Sequence, residues 1–598
     1  MSATFETSRS SNDSVLKTTT WGARVALLVL ITLLVAGLCL ADGNKPKLSK
    51  DLEALKGRPS GGTVDVIIQF NQTPTDAQHQ RVQNKGGVLK TKLDVIKGAH
   101  YSVPVESLDA LADDPDVAYI SPDRPVKDLL DLTAAAVNAK AAWQAGWDGT
   151  GIGVAVIDSG ISYHTDLNGT TGSGGKFRVL YSQDFVGGGT NDYYGHGEHV
   201  AGIIAGSGKV SNYSSYTRTF KGIAPNANLI NLRVLDQNGQ GTDSGVIAAI
   251  QVAINFQNKY HIRVMNLSLG RQVFESYTLD PLCQAVEAAW KKGIVVVAAA
   301  GNYGRDNSMG TGGYATITSP GNDPYVITVG AMKTEGSPLP SNSLIASYSS
   351  KGPTLLDHVV KPDIVAPGNR VVSLYAPAFL NPATGLWTLE LLPQAYPQNL
   401  VTYSYFYPPD TLSTSTSYYF LSGTSMATPV VSGAAALLVQ AQPKLTPDQV
   451  KARLMKTAYK AFPSTSTTVD PLTGAIYVSE YDIFTVGAGY LDIGAALANS
   501  DVATGNALSP TAVYDSTQNS VYLVNAAGST WDSSVVWGTS VVWGTNVFVN
   551  GTSVVWGTSV CWGTSTDAGF SVVWGTSVVW GTSNQVASET SNVILGEN

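Results

Sequence analysis

Short, mostly apolar runs recur through the middle of the chain, at 153–157, 229–235, 262–270 and 294–300. Runs of that length, bounded by turn residues, predict buried strands of a parallel sheet. Between them, 244–256 and 280–292 carry apolar residues at helical spacing. Strand and helix therefore alternate, which predicts an α/β fold whose parallel sheet is flanked by helices on both faces. Farther on, the small and apolar run 430–438 predicts a buried helix. Thr446-Pro447-Asp448-Gln449 opens another, with a cap, a proline in the first turn and a glutamine three residues after the cap. The stretch 373–422, rich in Tyr, Pro, Ser and Thr, is longer than connections inside a compact domain usually are. It reads as an insertion that either lines a cleft or lies out on the surface.

Two flanking regions follow other rules. Upstream, strand-like 64–70, helix-like 75–84, strand-like 101–103, helical 105–112 and strand-like 117–120 outline a small α+β unit with its core over 64–126. In front of it, Arg24 precedes an apolar run over 25–41 that only Thr32 and Gly37 interrupt. That length lies between a long signal peptide and a short membrane span. Small residues at its end place a cleavage after Ala41, whereas the 24 residues before it keep an anchor open. Leu38 before Cys39 argues against a lipoprotein site. Downstream, Ser-Val-Val-Trp-Gly-Thr recurs, with tryptophans at 537, 543, 556, 562, 574 and 580. A six-residue step is even, so each Trp, first Val and Thr fall on one strand face, and 501–598 reads as a β-rich repeat tail. Asp567 is the only charge from 533 to 583. Such a tract needs stacking or a partner to cover it. It reads equally as a surface, carbohydrate or protein contact and as a low-complexity tail shielded on the rest of the chain.

Composition changes this picture little. At 598 residues the chain exceeds one core, and several units are expected. Charged residues make up 14% and the net charge is −8, which excludes the basic footprint of a nucleic-acid binder and fits an exported protein. Cys39, Cys283 and Cys561 cannot build a disulfide framework; a Cys283–Cys561 bridge is allowed by the count alone.

The candidate chemistry centres on Gly423-Thr424-Ser425-Met426-Ala427-Thr428-Pro429, which sets a serine among small residues where the buried helix begins. A helix N-terminus favours developing negative charge, and small neighbours let a substrate backbone approach. A serine needs a base, and the base needs an orienting group. Gly195-His196-Gly197 opens another small, apolar helix, and the strand 153–157 ends in Asp158-Ser159-Gly160. A carboxylate at the C-terminal end of such a strand lies where open α/β sheets build their sites. A fourth segment, the strand 294–300, runs into Gly301-Asn302. Taken singly, these residues serve as turn formers, caps or core hydrogen-bond partners.

Taken together, the order Asp158, His196, Ser425, with separations of 38 and 229 residues, resembles the subtilisin-like serine proteases, the subtilase family. The segments 348–353 and 361–368 are similar to subtilase segments as well. The resemblance implies a secreted or cell-surface, self-processing endopeptidase. In it Ser425 attacks, His196 acts as base and then acid, Asp158 holds the imidazolium, and Asn302 donates to the oxyanion. It implies that Ser268, Leu269 and Gly270, facing Ala299 and Gly301, wall the pocket for the residue before the scissile bond. Small residues there suggest room for large apolar side chains. Arg271 stands where a glycine is common and either fills part of the pocket or pairs with an acidic substrate residue. Glu198, in place of a threonine, alters the pKa of His196 if it points inward. His164 fits the family pattern with a structural role. His199, three residues after His196, lacks a third ligand for a metal pair. The 42–130 segment is then an inhibitor-type propeptide, cut between Val126 and Ala136, and 131–500 the peptidase domain. A binding module unconnected with proteolysis is the other reading of 64–126. No cofactor is required for the chemistry, the resemblance allows for structural calcium, and the partners are protein or peptide substrates and the chain's own propeptide. A subtilase scaffold that has lost catalysis is the competing class, and intact Asp158, His196, Asn302 and Ser425 argue against it.

Overall fold

The computed structural model describes residues 62–122, 132–168 and 176–532, apart from gaps at 377–378, 381–386, 389, 408–412, 471–472 and 516–519, with short pieces at 47–49, 52, 549–550, 553–556, 560–562 and 596–597. The apolar run 25–41 and most of the repeats lie outside the described residues. The chain divides into two compact units, at 1–127 and 128–598.

In the first unit, β1 (Thr63–Phe70), α1 (Asp76–Asn84), β2 (Val88–Leu93), β3 (Gly98–Pro104), α2 (Leu108–Ala112) and β4 (Val117–Pro122) form an antiparallel sheet in the order β2-β3-β1-β4. Alternation along β1 turns Val66, Ile68 and Phe70 into a core shared with Tyr101, Val103, Leu108, Leu111 and Ile120. β2 was not expected, because Val88-Leu89-Lys90-Thr91-Lys92-Leu93 has no buried position to give it an apolar rhythm. Its mostly exposed surface is that of an edge strand studded with lysines.

The second unit opens with α3 (Leu132–Ala136), whose Thr133, Ala134 and Ala136 are buried. The expected cleavage window thus ends inside a packed helix, and its first part lies outside the described residues. The central sheet uses β5 (Gly153–Asp158), β6 (Val179–Asp184), β7 (Asn228–Arg233), β8 (Ile262–Leu267), β9 (Val295–Ala299), β10 (Ile327–Lys333), β11 (Leu344–Ile345) and β12 (Ile364–Pro367). The order is β11-β10-β9-β8-β5-β7-β6, with β12 also on β10. All pairings are parallel except the short antiparallel edge of β11, a mixed element the strand–helix alternation did not anticipate. Five or six consecutive buried residues in β5, β7 and β9 mark strands covered on both faces, apolar throughout in β9 and carrying buried Asn231 and Arg233 in β7.

Four helices carry the layers: α4 (Gly197–Ala205), α5 (Asp243–Asn255), α6 (Pro281–Lys291) and α7 (Thr424–Ala441). α4 packs on α7 and α5 on α6, while β5 contacts both α4 and α5, so the sheet is sandwiched. α8 (Pro447–Thr457) starts with the capping box read from the sequence, Thr446 Oγ1 accepting from the Gln449 amide and Gln449 Oε1 from the Thr446 amide.

The long stretch after 373 is not a loop at either end. β13 (Val371–Leu374), β14 (Leu400–Thr402) and β15 (Thr414–Leu421) form a small antiparallel sheet whose residues Val371, Val401, Tyr418 and Tyr419 are buried. The hairpin of β16 (Thr511–Asp515) and β17 (Ser520–Val524) also packs home. Ala503, Ala507, Ala512, Leu523 and Trp531 share a satellite core with Tyr314, Met455 and Phe484. The expected boundary at 500 therefore falls inside packed structure. Within the repeats, Val549–Asn550, Ser553–Trp556 and Val560–Trp562 pair as short antiparallel strands. Cys283 is a buried free thiol, so the Cys283–Cys561 bridge is not formed.

Candidate active site

The residues singled out from the sequence gather at the C-terminal ends of the central strands. Asp158 is the last residue of β5, Ser268 follows β8, and Gly301 and Asn302 follow β9 by two and three residues. Gly160 and Gly301 let the chain turn away there, with φ of +123° and +106°. A methyl group on Gly160 would come within 2.5 Å of the Asn191 carbonyl oxygen.

His196 sits at the cap position of α4, and its Nδ1 lies 2.7 Å from Asp158 Oδ1. A carboxylate oxygen only accepts, so Nδ1 carries the proton and Nε2 is left as the basic nitrogen. Asp158 is 1% exposed, and its Oδ1 also accepts from the Ser159 amide at 2.8 Å. Ser159 Oγ donates to Asp192 Oδ1 and accepts from the Gly197 amide, which couples the strand end to the start of α4. Asp192 accepts further from the amides of Tyr194, Gly195 and Glu198. Burial alone would disfavour the imidazolium, but the nearby Asp158 carboxylate, its hydrogen bond and Asp192 outweigh it and hold the His196 pKa above 6.5.

Ser425 is the second residue of α7. Its Oγ donates to the Ser268 carbonyl at 3.1 Å, and Ser268 Oγ donates back to the Ser425 carbonyl at 2.8 Å. The second bond has a cause in Pro429. Proline has no N–H to give the carbonyl four residues back, and an interior proline costs a helix about 3 kcal/mol. The Ser268 hydroxyl supplies the missing donor, worth about 1 kcal/mol net. Asn302 Oδ1 accepts from the Thr424 amide at 2.9 Å and from Thr424 Oγ1 at 3.1 Å, which fixes the amide orientation and leaves Nδ2 as the outward donor. The structure thus joins Asp158 to His196, and Ser425 and Asn302 to the start of α7; the serine hydroxyl is turned to Ser268 rather than bonded to the imidazole.

These ends of strands and helices match a known pattern over most of the second unit. A family model described as the subtilase family matches residues 149–538. The chain belongs to the subtilase family. Among its relatives, serine protease AprX of Bacillus subtilis is 34% identical over 403 residues, covering 65% of this chain and 81% of that protein. Subtilisin E of the same species is 32% identical over 403 residues, covering 66% and 84%. Subtilisin DY of Bacillus licheniformis is 35% identical over 316 residues, covering 52% and 85%. As a subtilase the chain is a serine-type endopeptidase that hydrolyses peptide bonds.

Within this subtilase, several neighbours of the site behave differently from expectation. Arg271 is engaged within the chain, its Nε bonding both carboxylate oxygens of Asp243 and its Nη2 bonding buried Asp280 at 2.9 Å. Glu198 does point inward, but it serves the backbone, accepting from the Ser162 amide at 2.7 Å. Burial, then Asp192, pushes its carboxyl well above the usual range; the acid that raises His196 beside Asp158 is Asp192. Leu269 is half-buried, Gly270 exposed and Ala299 buried, and Thr318 lies between the two expected walls. Methyl groups on Gly270 and Gly301 would come within 2.6 and 2.7 Å of its side chain, so the space is narrower than small residues alone suggested. His199 is neutral and structural: its Nε2 lies 3.0 and 3.1 Å from the carbonyls of Val371 and Tyr419, and burial lowers its pKa to about 3. His164 accepts from the Asp166 amide through Nδ1 and is likewise structural.

The insertion reaches this site through Glu390, which no motif flagged. Glu390 is buried, accepts from the Ala376 amide, and a methyl group on Gly195 would fall 3.2 Å from its Oε2. Leu391 and Leu392 amides donate to the carbonyls of Tyr193 and Tyr194, which ties the insertion to the loop preceding His196. Burial, with Asp192 and Glu198 nearby, pushes the Glu390 carboxyl well up as well. Among the described residues no group of three or more His, Cys, Asp or Glu side chains is placed to hold a metal ion.

Proposed function

We propose that the chain is an exported, self-processing endopeptidase working by an acyl-enzyme, with Ser425 as nucleophile, His196 as base and then acid, and Asp158 as the group that orients and stabilises the imidazolium. The observation that carries this is the 2.7 Å His196–Asp158 hydrogen bond at the end of the central strand, in a fold whose α7 begins at Ser425. For attack, the Ser425 hydroxyl leaves the Ser268 carbonyl and gives its proton to His196 Nε2. The tetrahedral oxyanion is met by Asn302 Nδ2, whose other end is pinned by Thr424, and by the N–H groups at the start of α7. Collapse of that intermediate returns the proton from His196 to the leaving amine, and water repeats the sequence on the ester. Ser268–Gly270 and Ala299–Gly301 flank the residue before the scissile bond. With Arg271 neutralised by Asp243 and Asp280, the walls favour an uncharged side chain.

The first unit acts as the intramolecular inhibitor that is removed on maturation, and the run 25–41 directs export. What supports this is position, ahead of a subtilase domain, and a compact α+β fold with its own core. Purified wild-type chain and the Ser425→Ala variant, compared for maturation and casein hydrolysis, test the proposal. The variant is expected to remain full length and inactive; wild type that matures and cleaves no better than the variant refutes it.

A further inference from the structure

Gly596 and Glu597 lie beyond the repeats in sequence, yet they are seated on the peptidase unit. Glu597 is 3% exposed. Its carboxylate accepts from Arg305 Nη2 at 2.7 Å, from the Ser347 amide at 3.2 Å and from Ser347 Oγ, and lies 3.5 Å from Lys333 Nζ. Its backbone is recognised too, the Glu597 amide donating to Asn369 Oδ1 and its carbonyl accepting from Asn369 Nδ2, both at 2.8 Å. Gly596 is the only residue type that fits before it: φ is +80°, and a methyl group would come within 2.5 Å of Ser422 Oγ and 2.7 Å of Arg370 Cγ.

The charges explain why the socket needs an acid. Arg305 and Lys333 are 5% and 4% exposed, and Asp470, at 2.8 Å from Arg305, is the buried acid within the socket itself. Glu335 meets Lys333 at 3.3 Å but is 37% exposed. Two buried cations facing one buried carboxylate leave a charge to be matched, and an unmatched buried charge is costly. Glu597 supplies the match. The same wall also borders the nucleophile's turn, since Ser422 Oγ accepts from the Arg370 amide and the Gly423 amide donates to the Gly368 carbonyl. At the near end of the repeats, Trp531 is buried with its Nε1 donating to the Leu508 carbonyl at 2.7 Å.

We propose that Arg305, Lys333, Ser347 and Asn369 form a binding site for a Gly-Glu peptide segment, filled in cis by Gly596 and Glu597, which fastens the far end of the Trp-repeat tract to the peptidase unit and braces the turn that presents Ser425. The test uses the full chain in a Ser425→Ala background, carrying an inserted recognition site for an unrelated sequence-specific protease within the repeat tract. After cutting, the terminal fragment is expected to co-elute with the peptidase unit, and Glu597→Ala to weaken its retention at least about tenfold. Release of the fragment from the parent, or equal retention with Glu597→Ala, overturns the site. Hydrogen exchange reads the brace: Glu597→Ala is expected to raise exchange at the amides of Ser347 and Gly423, and unchanged protection there overturns that part.

Discussion

The two halves of the site are built from opposite materials. Around His196 the protein buries carboxylates: Asp158, Asp192, Glu198 and Glu390 are each about 1% exposed or less. Around Ser425 it uses neutral dipoles: Asn302, Thr424, the start of α7, and the Ser268 hydroxyl that donates to the carbonyl freed by Pro429. The first half must accept a proton and hold a cation, so the Asp158 and Asp192 carboxylates are set beside the imidazole in advance, while burial keeps Glu198 and Glu390 toward their neutral form. The second must receive an oxyanion, and a carboxylate there would repel it. The site is therefore polarised before substrate arrives, and each half can be disturbed separately.

The largest effect is expected at the junction. Ser425→Ala should lower kcat by about 10⁶-fold, a magnitude carried over from subtilisin itself, with the fold intact by circular dichroism. Asp158→Asn attacks the charged half: Nδ1 of His196 loses its acceptor, the ring is no longer held with Nε2 basic, and kcat should fall about 10⁴-fold, a size known from serine-protease triads. Asn302→Ala removes one dipole from the neutral half. Its expected loss, about 10²–10³-fold in kcat with KM nearly unchanged, is likewise the subtilisin value for this kind of donor. Steady-state kinetics on one peptide substrate rank the three, and an Asn302→Ala loss confined to KM would remove the asparagine from the oxyanion site.

Acidity sharpens the comparison further. His196 works as a base only when neutral, and its folded pKa is raised above 6.5, so kcat/KM should fall as pH drops through a midpoint above 6.5. Asp192→Asn removes a negative charge that favours the imidazolium. The proton then leaves more readily, and the acid limb should move to lower pH. Reading the midpoint on profiles normalised to their plateau separates this shift from any loss of folded enzyme; a limb that stays put assigns Asp192 to backbone support alone.

The charged half was only partly legible in the sequence. Asp158 and His196 stand in short motifs whose flanking strand and helix announce themselves by apolar runs, and the β/α alternation followed from the same runs. Asp192 and Glu390 carry no such mark. Asp192 works by accepting the amides of Tyr194 and Gly195 before His196 and of Glu198 after it, and Glu390 comes from an insertion folded back from nearly 200 positions away, so only tertiary packing gives them a role. In the neutral half, Ser268 was expected as a pocket wall, whereas its hydroxyl matters because of Pro429. That link was readable in principle: a proline in the second turn of a buried helix frees a carbonyl, and something must donate to it. β11 was missed because two residues carry no periodicity, and the packed ends of 373–422 because aromatic and hydroxyl residues mimic loop composition while alternating in strands.

Arg271 gives the smallest effect and the cleanest contrast with the expectation that it touches substrate. It is 25% exposed and braced by Asp243 and Asp280, and Asp280 caps α6 through the Leu282 amide while accepting from Ser319 Oγ. Arg271→Ala leaves Asp280 with those two donors but without its cation. The loss should be about 2 kcal/mol of stability, less than for a fully enclosed pair because the arginine is partly solvated. Measured by denaturant midpoint, the variant should unfold earlier, while kcat/KM ratios across peptides with acidic, basic and apolar residues before the scissile bond stay within about twofold of wild type. A selective loss on the acidic peptide would place the guanidinium in the pocket and break the division between a charged half that is sealed and a neutral half that meets the substrate.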